Sequence, residues 1–139
     1  MASPRHRRGV AAVEFALIAP LFLLFLAGII EFGQVFRIEH MLTTASRRGA
    51  RSAIVNGATT SEVQQNVKTQ LVQILGVNEE DVTVEVAVNG SAGTNVSEAE
   101  EGDEISVTAS IPYSKAAAGF YANMFSTSII SATCIFEHE

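Results

Sequence analysis

A chain of 139 residues, 47% of them apolar, has room for one modest soluble domain or for a smaller one carried on a membrane anchor. The formal net charge is −6, and from residue 56 onward twelve acids face only Lys68 and Lys115. That balance excludes a nucleic-acid-binding head, which would need clustered Lys and Arg for phosphate contacts, and the lone Cys134 excludes an internal disulfide.

In chain order, the first feature is a basic cluster, Arg5, Arg7 and Arg8, with no acid among them. An apolar run follows from Val10 to Phe36, holding five of the eight phenylalanines and two charges, Glu14 and Glu31. About twenty such residues span a bilayer as a helix. The arginines would hold the N-terminus in the cytoplasm and place everything after about Gly33 outside. Glu31 stands near the outer boundary, where water can solvate a carboxylate. Glu14 lies inside the run, where burial in hydrocarbon costs roughly 2.5 kcal/mol or more. A cleaved secretory signal fits poorly, because Glu14 interrupts the apolar core and no A-x-A site closes it before Glu31. An uncleaved anchor has the right length and leaves Glu14 unexplained.

The order of residues offers a third reading: a short basic leader, Gly9, four apolar residues, then Glu14, Phe15 and the span. The stretch "RRGVAAVEFALIAPLFLLFLAGIIEFG" resembles a type IVb prepilin and, more specifically, the N-terminus of TadE-like pseudopilins of bacterial tight-adherence pilus machinery and related secretion systems. The later "ASRRGARSA", Ala45 to Ala53, is similar to the helix continuation of that family. The resemblance covers roughly the first 55 residues and leaves the head uncovered. At Phe15 many members carry Tyr.

This resemblance implies a minor pseudopilin rather than an enzyme, with no cofactor. A membrane prepilin peptidase would cut after Gly9 and free Val10, with Glu14 and Phe15 serving recognition and assembly and Arg5, Arg7 and Arg8 forming the leader charge. The partners implied are that peptidase, other pilin or pseudopilin subunits along the N-terminal helix, and the inner membrane. The implied site is the bacterial cytoplasmic membrane, crossed once, with passage into the pilus after assembly. The alternative is an uncleaved single-pass anchor whose extracytoplasmic head binds a partner.

The motif also has a physical logic of its own. Glycine, without a side chain, threads most easily into a protease cleft. Cutting there leaves an ammonium on Val10 about one helical turn from the Glu14 carboxylate. Between stacked chains that pairing sets axial register, since an unpaired ion is expensive in a low-dielectric core. The competing explanation is that Glu14 snorkels at the interfacial edge. At about 100° per residue Phe15, Phe22, Phe25, Phe32 and Phe36 fall inside an arc of about 100°. Ala12, Ala16 and Ala19 supply small residues for close helix approach. Pro20 removes one backbone hydrogen bond and is expected to kink the helix or melt it locally.

Beyond the span, Val35, Ile38, Met41, Leu42 and Ala45 keep helical spacing, so the helix should run to about Val55 and stop at Asn56 and Gly57. Thr60 or Ser61 should cap a second, amphipathic helix bearing Val63, Val67, Leu71, Ile74 and Leu75, ended by Gly76. "DVTVEVAV", "DEISVTASIPY" and "TSIISATCIFE" read as strands, with a turn at Asn89 and Gly90. The fold expected is α+β: a long N-terminal transmembrane helix continuing into a stalk, a second helix, and a small antiparallel sheet of about three strands. The divisions are leader 1–9, transmembrane helix 10–33, stalk 34–57 and head 58–139.

The acidic loop from Asn89 to Glu104 reads as a solvated, flexible hairpin connection. Its carboxylates at 98–104 match no EF-hand spacing, so calcium there is the lesser reading. His6, His40 and His138 lie too far apart in sequence to suggest a metal or nucleophile site, and no catalytic or metal-ligating set is assigned. Cys134 reads as a small buried strand residue.

Overall fold

The computed structural model describes residues 5–55, 57–117 and 127–138, with side chains from residue 9 onward. The chain forms two compact units, Met1–Gly33 and Gln34–Glu139. The first is the apolar part of a helix, α1, that runs from Arg5 to Ala53 with Pro20 inside it. It ends two residues earlier than the apolar spacing suggests, because the chain turns at Val55, whose carbonyl accepts from Ala58 N at 3.1 Å. Gly57 follows at φ 88°, a left-handed conformation natural to glycine. Asn56, the other half of the expected stop, lies outside the described residues.

In the second unit, α2 (Thr60–Leu75) starts at a different cap from the one anticipated. Thr59, not Thr60 or Ser61, is the N-cap: its hydroxyl accepts from Glu62 N at 3.3 Å, while Thr59 N donates to Glu62 Oε2 at 3.2 Å. This is a capping box, with Thr three residues before Glu. The Thr60 hydroxyl is used elsewhere, donating to Thr94 O at 3.2 Å and accepting from Val96 N at 2.9 Å. Gly76 closes α2 in the left-handed region at φ 67°, its N–H reaching Val72 O at 2.9 Å. On the expected apolar face Val63, Val67 and Leu71 are buried, whereas Ile74, in the last turn, is exposed.

The sheet is antiparallel with four strands rather than about three: β1 (Thr83–Val88), β2 (Ser91–Ala92), β3 (Glu104–Pro112) and β4 (Ile129–Glu137), in the order β2-β1-β3-β4. The additional strand is the two-residue β2, which pairs Ala92 with Ala87 and Ser91 with Val88. Asn89 (φ 50°) and Gly90 (φ 76°) form its tight turn, with both central residues at positive φ as a type I′ hairpin requires. A short α3 (Tyr113–Ala116) follows β3.

Alternation along β3 buries Ile105, Val107, Ala109 and Ile111 and turns Ser106, Thr108 and Ser110 outward. Registered beside them, Val86 and Val88 of β1 and Ala132, Cys134 and Phe136 of β4 complete the inner face. Cys134 is half-buried there, opposite Val107. Against that face lie Ile38, Leu42, Ala45, Ala50 and Ala53 from α1 and the buried side of α2. Fully burying a Leu or Ile contributes roughly 1.5–3 kcal/mol. The loop before β3 also feeds this core through Val96, which is 2% exposed. The Asn89–Glu104 connection is therefore more ordered than its composition suggests. Asp103 accepts from Asn89 Nδ2 at 2.7 Å and from Glu100 N at 2.8 Å, and Gly102 N donates to His138 O at 2.8 Å.

Candidate functional site

The sequence directs attention to α1, and the helix sorts its residues into two contrasting surroundings. From Val10 to Leu26 every large apolar side chain is exposed within the chain. No residue in the helix's most apolar 18-residue window is buried. A helix that is hydrophobic all round needs a membrane or other helices around it, because so much apolar area is not left facing water. Among the described residues this is one helix long and apolar enough to cross a membrane.

Gly9 and Val10 lie inside α1, four and five residues after Arg5, where the helix begins. Arg5, Arg7 and Arg8 are also helical, with side chains outside the described residues. Nothing lies within 4 Å of a Cβ added at Gly9. Cutting the Gly9–Val10 bond in an extended cleft would require local unwinding, which glycine makes less costly than other residues do. Glu14 is exposed and forms no ion pair among the described residues. The i to i+4 spacing sets it beside Val10 on the helix surface.

Phe15, Phe22, Phe25, Phe32 and Phe36 are all exposed, from 56% at Phe22 to 73% at Phe15. Ala12 and Ala16 are exposed as well, and Ala19 is half-buried. Glu31 departs from expectation. It is 8% exposed and makes an interaction, so it is not the solvated boundary carboxylate that its position near the end of the apolar run suggests.

Farther along, "ASRRGARSA" does more than continue a helix. Ser46 is fully buried and its Oγ donates to Ala132 O of β4 at 3.1 Å. Gly49 marks a close approach of this helix to its surroundings: an added Cβ would collide with Val67 Cγ2 of α2 and stand 3.3 Å from Val107 Cγ1 of β3. Small residues at three- and four-residue spacing, Ala45, Ser46, Gly49, Ala50 and Ala53, are the sequence signal for such packing. The arginines between them, Arg47, Arg48 and Arg51, are exposed.

No group of three or more His, Cys, Asp or Glu side chains suited to a metal ion occurs among the described residues. Asp103 of the acidic loop instead takes hydrogen bonds from Asn89 and the Glu100 amide, which hold its carboxyl below the ordinary range; the nearby His138 adds to this and desolvation opposes it.

No curated protein and no solved structure gives a significant match to the chain. A family model does: residues 9–51 match TadE, described as TadE-like protein. The matched span opens at Gly9, takes in Glu14, Phe15 and the whole apolar run, and closes at Arg51. TadE-like pilus components are structural proteins, so the family suggests a pseudopilin associated with a Tad pilus and with its subunits in a membrane system. The apolar helix suggests membrane anchoring. On this match the chain is consistent with a TadE-like protein.

Proposed function

We propose that the chain is a minor pseudopilin, cut after Gly9 by a prepilin peptidase and assembled through α1 into, or at the base of, a tight-adherence pilus or a related secretion apparatus. The observation that carries this reading is the TadE-like match over residues 9–51, because it coincides with an exposed apolar helix holding one carboxylate, Glu14, near its start. Arg5, Arg7 and Arg8 would keep the N-terminus in the cytoplasm, with residues after about Gly33 outside the bacterial cytoplasmic membrane.

The chemistry of docking follows from processing. Cleavage leaves an ammonium on Val10 and a carboxylate on Glu14, and pairing them between neighbouring chains removes the cost of an unmatched ion in hydrocarbon, roughly 2.5 kcal/mol or more. A slipped register leaves that ion unmatched. The aromatic arc from Phe15 to Phe36 and the small residues Ala12, Ala16 and Ala19 would then pack against neighbouring helices.

The test is Glu14→Val in the full chain. The variant should remain membrane-bound and largely trimmed, since its span only becomes more apolar, yet lose co-purification with pilin subunits. Glu14→Asp, shorter by one methylene, should fall between. Buried and engaged, Glu31 is unsuited as a control; the exposed Glu39 is suited, and Glu39→Gln should leave co-purification unchanged. Parent-like co-purification of Glu14→Val would refute the docking role.

A further inference from the structure

In the second unit the exposed arginines gather on one face of α1 and several unpaired acids gather in one loop, and these two groups are complementary in charge. Arg37, Arg47, Arg48 and Arg51 are all exposed, and at about 100° per residue they and His40 fall inside an arc of about 100° on α1. That arc lies opposite the buried face carrying Ile38, Leu42, Gly49 and Ala53. None of the four arginines forms an ion pair among the described residues, whereas both lysines do: Lys68 with Glu79 at 4.0 Å and Lys115 with Asp81 at 3.2 Å.

Acids of this unit exposed without a cation among the described residues occur singly at Glu39, Glu80, Glu85 and Glu137, and together in one segment. Glu79 and Asp81 have their lysines, Glu62 is held in the α2 cap, and Asp103 is turned onto Asn89 and the Glu100 amide. Glu98, Glu100, Glu101 and Glu104 remain exposed and without a cation among the described residues. Their backbone is already fixed, by the 3₁₀ turn Val96–Glu98 and by the bonds from Gly102 N to His138 O and from His138 N to Asp103 O, both 2.8 Å. A preordered acidic loop loses little freedom on docking.

We propose that the arginine face of α1 in one copy of this chain docks the Glu98–Glu104 loop of a second copy. The two surfaces differ, so the contact is heterologous: each copy presents both halves, and successive copies add head to tail rather than closing as a two-fold dimer. The inference rests on the assembly reading for its biological setting, while the contact is defined by residues of the second unit alone. Exposed ion pairs are individually weak, so the docking depends on several acting together and fades as salt rises.

The experiment measures energy transfer between labelled chains, purified from membranes in their processed form and reconstituted in phosphatidylcholine vesicles. Parent chains should show transfer that falls with added salt. Arg47→Glu with Arg51→Glu, and separately Glu100→Lys with Glu101→Lys, should each lower apparent association on the order of tenfold, and mixing the two variants should restore it. Restoration also certifies that both variants fold. Unchanged transfer in either double variant, or no recovery on mixing, overturns the proposal. The other occupant of an arginine face is an anionic lipid surface. If the Arg47, Arg51 variant loses only its binding to phosphatidylglycerol vesicles, with transfer in phosphatidylcholine intact, the face belongs to lipid and the proposal fails. A Glu14→Val chain run in parallel separates the readings: loss of charge rescue with a persistent Glu14 effect removes this contact alone, and the converse removes the helix docking alone.

Discussion

At the scale of single residues, Gly49 shows how a position can be clear in type and opaque in role. Its block, "ASRRGARSA", reads from sequence as more helix, and the density of small residues hints at close approach. What the sequence cannot name is the partner, because Val67 and Val107 are distant in the chain and are gathered only by folding. Gly49→Ala would gain about 1 kcal/mol of helix propensity but lose roughly 1–3 kcal/mol to overpacking against buried valines whose branched side chains rotate little. We predict a lower Tm in detergent for Gly49→Ala, followed by circular dichroism. Gly33→Ala, whose added methyl meets nothing within 4 Å, should not lower it. Glu31 carries the opposite lesson: it reads as a solvated boundary carboxylate, and at 8% exposed it is not one.

At the scale of elements, the helices and three longer strands are legible because their signals are local. The 3.6-residue spacing gives α1 and α2, Gly76 gives the α2 stop, and alternation gives β1, β3 and β4. The strand β2 was hidden because two residues, Ser91 and Ala92, carry no period of their own. The Asn89–Glu104 connection looked solvated because its acids outnumber its one buried anchor, Val96. That connection makes a pH prediction. Asp103 is held below its ordinary value chiefly by the Asn89 hydrogen bond, so its contribution is present above the unfolded value, about 3.9, and is lost as pH falls through the lowered folded value. Hydrogen exchange at the Glu100 amide should stay protected at neutral pH and open in that acidic window. In Asp103→Ala it should be open already at neutral pH; protection equal to the parent's would contradict the assigned role.

At the scale of the whole molecule, the chain divides its physics between two units. One exposes a large apolar helix surface, and the other buries an ordinary α+β core while its arginines and loop glutamates form no ion pair among the described residues. The proposed pseudopilin would account for both, with neighbouring helices and lipid covering the first and neighbouring copies the second. The central claim is that the mature subunit begins at Val10, because the Val10 ammonium is the proposed partner of Glu14. The direct test is the N-terminal sequence and intact mass of the protein purified from membranes. The account predicts Val10 as the first residue, with the uncut form accumulating when Gly9 is replaced by a bulkier residue. A mature protein that still begins at Met1 or Ala2 would contradict it and leave an uncleaved membrane anchor.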